Sequence, residues 1–285
     1  MVMSHKPKVK KNNDVDIFIY SHIPFKPIAT DTVFKVLTNS HEKDSRFHTK
    51  LKILRDYTGD NISSNNLMWN EYSGLYWLWS NYPLKKYIGL NHYRRMYTNF
   101  NNLPNIDQIF KNGKKIILNK PIPLRVQDGL PNGGELMNNR DWYKYWHCID
   151  DFNLLESIVK ELYPEYSDGW DKMAESTYLY PSSMFIMDRD TFINYCNYIF
   201  DVLEEFNARR GCHNSTDYIK YVEEHKDSYI REYLRYYDVE KQARIVGYLA
   251  ERALAAFLMS GGKDSLENNA EIFEWGMVPK QIYSV

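Results

Sequence analysis

Residues 91–95 read NHYRR and directly follow the apolar run YIGL at 87–90. Adjacent arginines and a histidine at the edge of a core are costly to hold unless they meet an anion. Arginine suits phosphate because its planar group offers forked donors. His92, Tyr93, Arg94 and Arg95 therefore read as a grip for a diphosphate. A solvated basic loop paired with surface acids is the competing reading.

A second segment, RDYTGDNISSNN at 55–66, is dense in short polar residues. Such side chains bond to nearby backbone and build turns and caps. They also meet ribose hydroxyls, and backbone amides near a helix start meet phosphate. Asp56, Thr58, Gly59, Asp60 and Asn61 are thus donor-site candidates, with a structural turn as the equal alternative. Ser21 and His22 follow the apolar run VDIFIY and could meet a base or ribose. On the residues alone, serving the turn before Pro24 is the favoured reading.

In EKQARIVGYLAERALAAFLM (240–259), Arg244, Gly247, Tyr248 and Glu251 fall on one helical face. Ile245, Leu249, Ala253 and Phe257 share an adjoining face. Glycine inside a helix costs about 1 kcal/mol relative to alanine, so something must approach closely at Gly247. His147 and Asp150, in HCID, form a second polar couple. Asp188 and Asp190 resemble an Asp-x-Asp metal pair, but Asp190 is expected to cap the helix that follows. GGK at 261–263 lacks the rest of a phosphate-binding loop.

These residues need a scaffold. Short apolar runs at 15–20, 51–54, 87–90, 115–118 and 183–187 read as strands covered on both faces. Residues 66–80 carry Trp69, Tyr72, Leu75, Tyr76 and Trp79 at helical spacing, and 191–207 repeat that pattern. Helices are also expected over 151–162 and 215–225. Alternating strands and helices predict an α/β fold with a mostly parallel sheet flanked by helices. Ligands in such sheets sit beyond the carboxyl ends of the strands, where most of these candidates fall.

Composition narrows the field. The chain has 285 residues, 44% hydrophobic and 26% charged, with a net charge of −1. That describes an ordered domain without a general pull on nucleic acid. Cys148, Cys196 and Cys212 show no disulfide or metal spacing, which fits a reducing, cytoplasmic setting. No apolar run reaches the roughly 18 residues of a membrane span. Residues 1–14 are basic without an apolar core, so a disordered tail is expected rather than a secretory signal. Contact with the inner face of a membrane is the alternative. Twenty-four tyrosines and seven tryptophans suit stacking on sugars, though they also suit an aromatic core.

Taken together, RDYTGDNIS, EYSGLYWLW, YIGLNHYRR, SMFIMDRDTFINYCNYIFDVLEE and RIVGYLAERAL resemble one bacterial family. Its members are glycosyltransferases of capsular and exopolysaccharide biosynthesis, long catalogued as a domain of unknown function. The resemblance spans roughly 15–260. It implies a GT-A-like (Rossmann-like) domain there, with 261–285 packing on it or trailing from it. It implies a nucleotide-sugar donor, with UDP-galactofuranose and inversion as the leading guess. The acceptor would be a growing glycan or a lipid-linked oligosaccharide. It places donor binding on the 56–61 and 92–95 blocks and matches Arg244 and Glu251. Relatives tend to carry asparagine where this chain has Ser183.

Inversion needs a base for the acceptor hydroxyl and charge stabilisation on the departing diphosphate. Glu251 is the first candidate for the base, then Asp150 or His147. Arg94 and Arg95 are expected to replace a divalent metal, with Mn or Mg the alternative. Two rivals remain at this stage. A non-catalytic sugar-binding protein would not need the arginines, and another phosphate enzyme would want clustered carboxylates.

Overall fold

The computed structural model describes residues 14–99, 101–127, 130–229 and 238–278. The expected tail at 1–14 lies outside this set apart from Asp14.

Thirteen strands are formed among the described residues. The first six are β1 (Val15–Ser21), β2 (Phe34–Thr38), β3 (Ile53–Arg55), β4 (Tyr87–His92), β5 (Arg95–Tyr97) and β6 (Ile116–Asn119). Four more follow: β7 (Ile122–Pro123), β8 (Arg125–Gln127), β9 (Leu130–Leu136) and β10 (Tyr178–Leu179). The last are β11 (Phe185–Asp188), β12 (Ala270–Phe273) and β13 (Trp275–Met277). Nine of them make one sheet ordered β12-β6-β11-β4-β1-β2-β3, with β5 on β4 and β13 on β5. β1 to β4 run parallel, as do β6 and β12. β11 lies antiparallel between β4 and β6. The architecture is α/β, with a mostly parallel sheet flanked by helices.

Every residue of β1 and β4 is buried, because both faces are covered. Phe18, Tyr20, Ile88 and Leu90 point into a core shared with helices Tyr72–Asn81, Arg189–Arg210 and Ile245–Met259. Ile17, Ile19, Ile117 and Ile186 point the other way, against Phe25, Phe47, Tyr97 and Ile106.

Several expectations shift. The helix expected over 66–80 is two, Asn66–Trp69 and Tyr72–Asn81, broken where Asn70 takes φ 52°. The helix expected over 240–259 is also two, Val239–Gln242 and Ile245–Met259, with Arg244 at the junction. The helix expected over 191–207 runs Arg189–Arg210, and its cap is Asp188 rather than Asp190. Asp188 accepts from the Asp190 and Thr191 amides, both at 3.1 Å. Strand β2, FKVLT, was not anticipated, since its lysine interrupts the apolar run. That lysine reaches Asp16 on β1 and is only partly buried. Segment 261–278 adds β12 at the sheet edge and β13 beside β5.

Candidate active site

A cavity of about 330 Å³ opens beyond the carboxyl ends of β1 and β4. That lies at the small end of the range for ligand sites. Its wall includes Tyr20 near the end of β1 and His22 just after it, His92 at the end of β4 with Tyr93 and Arg94 after it, and Arg244 from the helix junction. Asn66, Asn70, Glu71, Asp238, Glu240 and Lys241 close the remaining sides.

NHYRR is a hairpin. Asn91 and His92 finish β4, the chain turns at Tyr93 and Arg94, and Arg95 starts β5 opposite His92. His92 is buried and its Nδ1 accepts the Arg94 amide at 3.1 Å. Burial, then the charges of Arg94, Arg95, His22 and Arg244, hold its pKa well below the usual value. The ring is therefore neutral, with Nε2 as its N–H donor. Burial, then Arg94 and Arg244, also lower His22. Arg94 lies 5.3 Å over the Tyr93 ring and is half-buried. Among the described residues neither Arg94 nor Arg244 has a carboxylate within 4 Å. Arg95 is not part of the wall. It donates to the Ser182 hydroxyl and lies 5.9 Å from the Trp275 ring centre.

Arg244 is held by Asn70, whose Oδ1 accepts its Nε–H at 2.6 Å. Asn70 is fixed in turn by Asn66, which donates to its carbonyl at 2.6 Å. The close approach expected at Gly247 is this side chain. A Cβ there would fall 1.7 Å from Asn70 Nδ2.

The 55–66 segment divides. Asp56 is fully buried and accepts from Ser63 at 2.8 Å, Ser73 at 3.0 Å and Tyr20 at 3.1 Å. It braces the cavity from behind, through Tyr20, and does not line it. Thr58, Gly59, Asp60 and Asn61 lie outside the cavity in an exposed turn satisfied by its own bonds. Thr58 accepts the Trp77 indole N–H, Asp60 accepts the Tyr76 hydroxyl, and Asn61 donates to the Gly59 carbonyl. Gly59 has φ 62°, where a Cβ would strain the backbone and strike Asn81. Ser21 bonds the backbone of Ile23, so it serves the turn.

The other candidates sit apart from the arginines. Glu251 does not line the cavity; its Oε1 accepts the Ser182 amide at 2.8 Å. That bond holds a strained loop in which Ser182 and Ser183 have φ 60° and 48°. Asparagine enters this left-handed region more readily than serine. His147 ends helix Asn139–Trp146 and stacks on Tyr248 at 4.2 Å. Asp150 lines a separate cavity with Cys148 and Tyr145. Asp188 pairs with Tyr87, so it stands at the amino end of β4, a strand's length from the arginines. No group of three or more His, Cys, Asp or Glu residues is placed to hold a metal among the described residues. No described helix is long and apolar enough to cross a membrane.

Sequence reasoning missed Glu71 and Asn70 as wall residues. Glu71 sits inside EYSGLYWLW, whose aromatic stripe draws the eye away from it. The available signal was an acid at a helix start that is not a Ser, Thr, Asp or Asn cap. Burial pushes its carboxyl up to about 7, and the Glu251 charge adds to this while Arg244 and Arg95 oppose it.

A solved structure titled WbbM bifunctional glycosyltransferase, in its apo form, shares this fold at a TM-score of 0.63 and 24% identity. The match covers 93% of this chain and 45% of that one, so this chain spans less than half of its neighbour. The mannosyltransferase Ktr4p from S. cerevisiae, solved with GDP, matches at 12% identity over 97% of this chain and 73% of its own. At a TM-score of 0.39 those two folds agree too loosely to carry an inference. No curated protein matches the sequence. The family profile described as "Domain of unknown function (DUF4422)" matches residues 16–236, well over half of the chain, and the chain belongs to that family.

Proposed function

We propose that this chain is a glycosyltransferase that holds a nucleotide-sugar donor beyond the carboxyl ends of β1 and β4. The carrying observation is the pair of guanidinium groups, Arg94 and Arg244, lining one cavity without a carboxylate partner within 4 Å among the described residues. A cation left unpaired in a half-buried site is poised for an anionic ligand. Neutral His92 adds an N–H donor beside them. The fold shared with a bifunctional glycosyltransferase supports the reading without naming a substrate.

In this reading Arg94 and Arg244 grip the diphosphate, and Arg95 positions the hairpin through Ser182. As the glycosidic bond to the donor breaks, negative charge grows on the departing diphosphate. Fixed cations stabilise that charge without reorganising. They take the task that a divalent ion performs elsewhere. The finer assignment follows the family resemblance: UDP-galactofuranose as donor, inversion at the anomeric carbon, and a capsular, exopolysaccharide or lipid-linked glycan as acceptor.

Thermal shift against a panel of nucleoside diphosphates and nucleotide sugars tests it. Uridine diphosphate is expected to raise Tm, following ordinary ligand linkage. A flat response across the whole panel removes the reading. Turnover abolished by excess chelator and restored by manganese removes the metal-independent part.

A further inference from the structure

Resting on the glycosyl-transfer reading, we propose that Glu71 is the general base that takes the proton from the acceptor hydroxyl.

Glu71 lines the same cavity as Arg94 and Arg244. Among the described residues its carboxylate makes no hydrogen bond to another side chain and no ion pair within 4 Å. It begins helix Tyr72–Asn81 yet makes no capping bond with its side chain. Of the neighbouring acids, Glu240 lines the same cavity but is exposed, and the others are occupied. Glu251 holds the Ser182 amide, Asp56 serves three hydroxyls, and Asp238 caps the helix at 239. Asp150 lies in another cavity.

Its backbone is clamped to the diphosphate grip. Asn70, the residue before it, takes φ 52°, packs on Gly247 and binds Arg244 Nε. Base and cation thus line one cavity, and in the in-line displacement the anomeric carbon lies between the Glu71 carboxylate and the diphosphate held by the arginines. In the step, an acceptor oxygen forms a bond to the anomeric carbon and its proton passes to Glu71. The bond from that carbon to the diphosphate oxygen breaks, and its electron pair leaves with the diphosphate beside Arg94 and Arg244.

The electrostatics agree. Burial and the Glu251 charge raise the Glu71 carboxyl, its own backbone amide, Arg244 and Arg95 oppose them, and it titrates at about 7. Such a base works best near neutral pH. His22, His92, Arg94, Asp238, Glu240 and Lys241 complete the wall. Both histidines are held below their usual value, so an acid limb near 7 would not be theirs.

The experiment measures UDP release from a panel of UDP-hexoses, with octyl β-galactoside or water as acceptor, from pH 5 to 9. Wild-type kcat should rise about tenfold per pH unit below about 7 and then level off. Glu71→Gln should lose about 10²- to 10⁴-fold in kcat with donor KM nearly unchanged, and should lose that limb. Its thermal shift with uridine diphosphate should persist. A Gln variant that keeps wild-type turnover alongside that shift overturns the assignment and leaves the nucleotide-sugar reading standing. A wild-type kcat that is flat across pH 5.5 to 8.5 overturns it too, without needing any variant to fold. A wild type with neither nucleotide response nor UDP release overturns the underlying reading and this assignment together.

Discussion

At the amino ends of β1 and β4, acids gather lysines; at the carboxyl ends, Arg94 and Arg244 have no carboxylate within 4 Å among the described residues. Asp16 on β1 meets Lys35 and also Lys85 at 3.0 Å, and it accepts the Tyr82 hydroxyl at 2.7 Å. Asp107 meets Lys86 at 2.6 Å and Lys111 at 2.5 Å, and these lysines hold its carboxyl below the usual range. Opposite them, Arg94 and Arg244 line a cavity together with Glu71 and make no ion pair among the described residues. Satisfied charges near a core describe a region finished by folding. Unsatisfied ones describe a region that folding prepares for something else.

The sharpest way to break that contrast is to remove both cavity cations. Arg94→Met with Arg244→Met should weaken uridine diphosphate binding at least about 100-fold, since each charge-assisted bond is worth about 1.5–3 kcal/mol. Calorimetric titration reads this, and an unchanged Kd would show that the two ends do not differ in purpose. Next comes the amino end. Asp16→Asn should lower unfolding stability by about 2 kcal/mol in chemical denaturation. Nucleotide affinity should stay the same, and a fall in affinity would blur the division. The smallest effect tests how the cations are aimed. Gly247→Ala should push Asn70 off Arg244 and cost about tenfold in nucleotide affinity, or about 1.4 kcal/mol. Full affinity in that variant would mean Asn70 does not position the guanidinium.

Much of the scaffold was legible because its signals are local. The runs at 15–20 and 87–90 became β1 and β4, since short apolar stretches bounded by polar residues have few other uses. Residues 151–162 and 215–225 became helices Ile149–Leu162 and Ser215–Glu224. The breaks at Asn70 and Arg244 were hidden, because nothing in an unbroken helical stripe marks a residue that leaves it for a contact far away in the sequence, here the bond between these two. The TGDN turn shows the reverse problem. Its residue types fit a donor site and a turn equally, and its partners Trp77, Tyr76 and Asn81 lie on a helix some twenty residues later.

By itself, the order of residues determined that a mostly parallel sheet would form and that histidine and arginine would stand at the carboxyl end of a central strand. Periodicity and residue chemistry suffice for that. Tertiary structure decided which cations share a cavity. It paired Arg244 with Arg94 and turned Arg95 toward Ser182. It also brought Glu71 into the cavity with Arg244, with no ion pair to its carboxylate among the described residues. Those outcomes depend on contacts between segments 87 to 174 residues apart, and burial and charge at such contacts exist only once the chain has closed on itself.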